Sequence, residues 1–211
     1  MKISKILLAS TMLCALSAAP AMAGEMSNGN AYAKLSGGAI IPEDIDADLG
    51  GGFNGKLTFD TGWTASATVG FWLNNNFALE GELGYLAADM DKFEISGVGS
   101  AKIDGDVSSI LGFVNANYHL SGRNAGFDPY IGAGVGFARS KVSVDSVGGF
   151  PIGVSDDSTD AALQGTAGFD FNLGGGTKIG AQYRYIYTDT GGSGVDAFTA
   201  HAITAHAVFA F

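Results

Sequence analysis

The chain has few of the residues that most folds rely on. Only one cysteine, Cys14, occurs among its 211 residues. It lies in an N-terminal stretch that reads as a secretory signal peptide. Lys2 and Lys5 give the positive start, residues 6–16 the apolar centre, and Ala21-Met22-Ala23 the small-residue cleavage site. Cleavage after Ala23 is expected, so residues 1–23 are the signal peptide and 24–211 a single domain. That domain would hold no disulfide, although an exporting compartment permits one. Cys14 follows Leu13 and not a small residue, which speaks against a lipid-modified N-terminus.

Charge is sparse, at 15% of residues, and cationic charge is sparser: 11 Lys and Arg stand against 21 Asp and Glu. Loss of Lys2 and Lys5 would leave 9 basic residues against the same 21 acidic ones. That balance argues against nucleic acid as a partner. Long apolar runs are missing too. Residues 6–16 are too few to cross a bilayer as a helix, and no other stretch is apolar enough. Hydrophobic residues nonetheless make up 46% of the chain, and 33 residues are glycine. Abundant apolar residues without apolar runs fit a membrane barrel, whose outward face is interrupted at every second position.

The alternation is plainest at the C-terminus. Ile203, Ala205, Ala207, Phe209 and Phe211 form one row of an extended strand; Ala202, Thr204, His206, Val208 and Ala210 form the other. A strand held to its last aromatic residue needs a partner, and the first strand of a closed barrel is the candidate. Seven more strands are expected, at 30–41, 63–73, from Phe77, 107–120, 128–144, 160–173 and 177–188. Segments 43–62, 89–106, 145–159 and 189–198 read as long loops from their Gly, Asp and Ser content. Asn74-Asn75-Asn76, residues 121–127 and Gly174-Gly175-Gly176 read as short turns, the first because asparagine tolerates positive φ. Long and short connections alternate, so all short turns fall on one rim and all long loops on the other. This is the plan of an antiparallel up-and-down β-barrel of eight strands spanning the outer membrane.

Alternation alone does not say which row faces in. A soluble barrel of the lipocalin kind points its apolar row inward, a membrane barrel outward. The opposite row holds Gly132, Gly134 and Gly136, a poor solvated surface but a reasonable lining for a narrow lumen. The apolar row ends in rings at both rims (Trp63, Phe71, Phe77, Tyr85, Tyr118, Phe137, Tyr187, Phe211), as interfacial girdles do. With the apolar row outward, the lumen receives the charged residues Lys34, Glu80, Glu82, Asp170, Lys178 and Arg184 and the polar Gln164, Gln182 and His206. Charges of both signs in a buried space imply a paired network. A lumen this narrow is filled by side chains, leaving at most a small ion path.

Residues 70–85, GFWLNNNFALEGELGY, resemble the second hairpin of opacity-type outer membrane proteins. Pro129 to Phe137, Gln182-Tyr-Arg-Tyr185 and the aromatic terminal strand carry the same resemblance, which extends to bacterial surface antigens of the porin family and the OmpA-type barrel. It implies an integral outer-membrane barrel exposed at the surface as an antigen and sometimes adhesive. It also implies that Phe209 and Phe211 are the signal read by the outer-membrane insertion machinery. A wall-binding domain after Phe211 is not expected, nor is a role in tethering the envelope to the wall. The partners expected are outer-membrane lipid and lipopolysaccharide, that insertion machinery, and an extracellular or host ligand on the long loops.

Other motifs favour plainer readings. Gly132-x-Gly-x-Gly136 has the spacing of a nucleotide loop but no helix after it, so packing room accounts for it better. Asp44-x-Asp-x-Asp48 departs from a calcium loop, with Gly50 one place late and Gly55 where a glutamate belongs; a solvated acidic loop is expected, with weak divalent binding, alone or bridging lipopolysaccharide phosphates, as the alternative. His119, His201 and His206 are expected to lie apart. His201 with Thr199 and Asp196 is the nearest approach to a catalytic set, and it falls short of one. No catalytic residue, cofactor or metal is therefore expected. The leading function is a structural surface protein acting through its loops. The alternatives are a narrow channel gated by the lumen charges and an enzyme acting on lipid or peptide.

Overall fold

A computed structural model describes residues 30–48, 54–95, 99–147, 150–189 and 197–211. The expected signal peptide lies outside them. Ten strands follow in chain order: β1 (Ala31–Pro42), β2 (Ile45–Asp48), β3 (Asn54–Phe59), β4 (Gly62–Trp72), β5 (Phe77–Ile95), β6 (Gly99–His119), β7 (Phe127–Val147), β8 (Phe150–Gly174), β9 (Thr177–Thr188) and β10 (Phe198–Ala210). Every pairing is antiparallel. Eight strands run β1-β4-β5-β6-β7-β8-β9-β10, and β1 pairs with β10 to close the cylinder. Closure holds the C-terminal strand along its length, from Tyr32 opposite Ala210 to Pro42 opposite Ala200. The Phe211 amide then donates to the Ala31 carbonyl at 2.9 Å.

Polarity is inverted relative to a soluble protein. Leu83 is 61% exposed, Val135 62% and Ile203 62%, while Arg184 is 1% exposed and Glu80 4%. The outward row of β4 and the following turn, from Trp63 to Leu73, rises about 33 Å along the strand. Tilted by about 40°, it covers about 25 Å, the height of an outer-membrane apolar band. Rings gather at both ends of that band. Phe77 meets Tyr118 and Phe127 meets Phe171 near the short turns, and Trp63 meets Tyr85 near the other rim.

Three expectations change. Segment 43–62 is not a loop: β2 and β3 form a hairpin whose second strand pairs with the outer part of β5. Segments 89–106 and 145–159 are not loops either, since β5 with β6 and β7 with β8 stay paired well past the apolar band. Composition misled here. A Gly-, Asp- and Ser-rich segment lacks strand propensity, but a neighbour already in register supplies its backbone partners. The Asn74–Asn76 turn, finally, needs no positive φ, which among the described residues only glycines adopt. Asn74 Oδ1 instead accepts from the amides of Asn76 and Phe77, both at 2.8 Å. Gly174, Gly175 and Gly176 do require glycine, with φ of 86°, 61° and 77°. Most of segment 189–198 lies outside the described residues.

Candidate functional site

The lumen is where the strands bring chemistry together, and it is layered. Nearest the short turns sit Trp72, His119, Asp128, Tyr130, Asp170, Lys178 and His206. The middle layer holds two ion-pair networks. Lys34 Nζ contacts both Glu80 oxygens at 2.8 Å, and the Tyr32 hydroxyl donates to Glu80 Oε1 at 2.7 Å. Arg184 Nη2 lies 2.8 Å from Glu82 Oε1 and donates to Gln164 Oε1 at 2.7 Å. Gln164 and Asn115 each donate to Glu82 Oε2 at 3.0 Å. Gln182 Oε1 accepts from the Tyr130 hydroxyl at 2.9 Å. Lys34, Glu80, Glu82, Gln164, Asp170, Lys178, Gln182, Arg184 and His206 all point inward and are buried.

Glycine makes room for these groups. A side chain at Gly132 would strike Asn117, one at Gly134 would strike Asn115, and one at Gly136 would meet the Phe113 ring and the Gly112 backbone. The glycine row of β7 is thus the space into which β6 projects its amides and ring.

Toward the long hairpins the lumen turns apolar. Ile40, Leu86, Leu111, Phe113, Ala138, Ala162, Ile186, Ala200 and Ala202 form one buried cluster. Above it Met90 and Val107 pack with Leu57, Phe59, Val142 and Val144. Sequence reasoning missed this plug. The alternation does put Ile40, Leu86, Leu111 and Ile186 on the inward row, but the expectation of a polar lumen drew attention to charged positions alone.

The histidines divide differently from expectation. His119 Nδ1 pairs with Asp128 Oδ2 at 2.8 Å and His206 Nε2 with Asp170 Oδ1 at 2.7 Å. Lys178 Nζ lies 4.0 Å from Asp128 and 3.9 Å from Asp170. His119 and His206 therefore share one cluster; only His201 stands apart. On the outer wall His201 meets the Tyr183 hydroxyl at 2.6 Å and Glu43 Oε1 at 2.7 Å. Thr199 lies on the same row as His201 and is buried, but the His201 ring bonds Tyr183 and Glu43 instead; Asp196 lies outside the described residues. Phe209 faces outward and is half-buried, and the terminal Phe211 is half-buried too.

The model of the outer membrane protein beta-barrel domain matches residues 7–211. The chain belongs to this family. Comparison with curated proteins gave no match. Among solved structures, the outer-membrane barrel is similar to the Neisserial surface protein NspA, with 19% identity, TM-score 0.52, and coverage of 87% of this chain and 98% of that one. It is also similar to the outer membrane protein OprG of Pseudomonas aeruginosa, with 15% identity, TM-score 0.59, and coverage of 86% and 96%. The outer membrane protease OmpT of Escherichia coli matches with 10% identity, TM-score 0.52, and coverage of 86% and 97%. These likenesses are of fold.

Proposed function

We propose that this outer-membrane barrel is a structural surface protein whose extended hairpins bind an external partner, with the barrel as their anchor. The observation that carries the reading is the lumen, filled by ion pairs on one side and closed by an apolar plug on the other. A path blocked by Leu111, Phe113 and Ile186 excludes water as well as solute, so the parts left to meet a ligand are the hairpins. Pairing of β3 onto the outer part of β5 widens the barrel wall on that side. Acidic residues far outnumber basic ones in segments 43–60, 89–106 and 139–160. That surface favours a partner bearing positive charge, with an association rate that falls as salt rises.

The test has two parts. In planar bilayers the purified barrel should give no conductance steps; regular steps altered by Glu82→Gln would establish the channel reading instead. Cells displaying the protein should be retained on immobilised lysozyme, a basic protein, at low salt, and lose that retention when a short Gly-Ser turn replaces residues 43–60. Equal retention of the two forms would remove the hairpins as the binding surface. No specific observation favours an enzyme: the Tyr183, His201 and Glu43 contacts lie on the outer wall, at 42%, 33% and 52% exposure.

A further inference from the structure

The cluster near the short turns has no task in that reading, yet its donors converge. A ligand atom from each of His119, Asp128 and Asp170 lies within 4.8 Å of the other two, and all three residues are buried. They come from three places, the end of β6, the start of β7 and the C-terminal part of β8. Each carboxylate is oriented from behind. Asp128 Oδ1 accepts the Ser121 amide at 3.1 Å, and Asp170 Oδ1 pairs with His206 Nε2 at 2.7 Å. Such outer partners fix the direction of metal-ligating side chains. The His119 ring is held between Trp72, at 4.5 Å, and Tyr130, at 4.9 Å between centroids.

Two features point to a bound cation and not to a finished core. His119 Nε2 is buried and has no hydrogen-bond partner. Lys178 Nζ is also buried without a hydrogen bond: it stands about 4 Å from both carboxylates and over the Trp72 ring at 5.2 Å. Its ammonium neutralises the site by charge alone. A cavity of about 380 Å3 lined by His119, Asp170, Lys178, Trp72 and the Gly174–Gly176 turn opens this layer toward the short-turn rim.

We propose that His119, Asp128 and Asp170 bind a divalent transition metal of the zinc class, with Lys178 as the resident cation that the metal displaces into the cavity. One imidazole nitrogen with two carboxylate oxygens suits zinc or nickel better than calcium or magnesium, which take oxygen ligands. Ligand distances of about 2.0–2.2 Å put neighbouring donors roughly 3.4 Å apart. The three groups need to close by about an ångström, and His119 must give up its bond to Asp128 or ligate through Nε2. A fourth position stays open for water or for a group entering from the cavity.

The experiment uses the folded barrel in detergent, stripped with chelator and titrated with zinc by calorimetry. Cobalt absorption serves as a second readout of a nitrogen–oxygen site. One equivalent should bind, with cobalt giving a visible band. Asp170→Asn removes a direct ligand and should weaken binding by more than the roughly 10–100-fold that loss of an outer partner costs. Lys178→Met keeps every ligand and removes the competitor, so it should tighten binding at least tenfold. It should also enlarge the rise in unfolding temperature that zinc produces, since a ligand of the folded state stabilises it. His201→Ala should bind as the parent does. Absence of saturable binding in both the parent and Lys178→Met overturns the proposal. So does binding that Asp170→Asn leaves unchanged or that His201→Ala abolishes, which places the metal on the outer surface.

Discussion

Arg184 is 1% exposed and lies between Glu82 and Gln164 in the middle of the lumen. Little bulk water reaches it, so its value to the barrel lies in what Glu82 loses without it. Removing one member of a buried pair leaves an uncompensated charge, at a cost of about 3–5 kcal/mol. Arg184→Met should therefore lower the urea midpoint for unfolding from detergent well below that of the parent. Adding Glu82→Gln should restore most of the loss, because the orphaned charge goes with it. A double variant as unstable as the single one would show that Arg184 acts through packing. At the Asn74 turn, Asn74→Ala removes the one side-chain oxygen that accepts two backbone amides at an exposed site, so a loss of only about 1 kcal/mol is expected by the same measurement. Inward positions of this kind were legible from the two-residue period alone. Their partners were not, because pairing Arg184 with Gln164, or His119 with Asp128, depends on the stagger between strands. One sequence without its partners' register leaves that stagger open.

Among the elements, β10 and the apolar plug separate what the sequence reveals from what it hides. β10 announced itself by alternation, and its pairing with β1 closes the barrel as expected. By family resemblance its Phe209-x-Phe211 ending should also direct insertion. Deleting Phe211 should lower the amount in the outer membrane while export across the inner membrane continues; unchanged outer-membrane levels would leave the residue only its contact with β1. The main plug cluster assembles from one or two residues on each of seven strands, so no one segment displays it. Leu111→Ser with Ile186→Ser would put hydroxyls into the dry layer and vacate two large side chains. The change should destabilise the barrel by several kcal/mol, as large-to-small core changes do. It should also admit small, irregular conductance where the parent shows none. A leaky parent, or a double variant as tight as the parent, would remove the plug as the seal. The β2–β3 hairpin was hidden for another reason: its strands are short, β2 carries Asp46 and Asp48, and they pair because the outer part of β5 offers an edge.

For the whole molecule, the deciding fact is inverted polarity, with charged residues inside and an apolar wall outside. Fold and sidedness followed from composition and period two, since a bilayer imposes both on any chain that crosses it in strands. The partner did not follow, because it is a property of hairpin surfaces on which no such constraint acts. Everything about the barrel in its membrane depends on which of the two rows faces lipid. That is tested directly by placing nitroxide labels, one at a time, at residues 79–86 of β5 in the protein reconstituted in bilayers, and measuring collision with oxygen and with a water-soluble nickel complex. Labels at 79, 81, 83 and 85 should collide strongly with oxygen and weakly with nickel; labels at 80, 82, 84 and 86 should be shielded from both. Strong nickel collision at the odd positions would contradict the account, because it would put that row in water and the barrel outside the membrane.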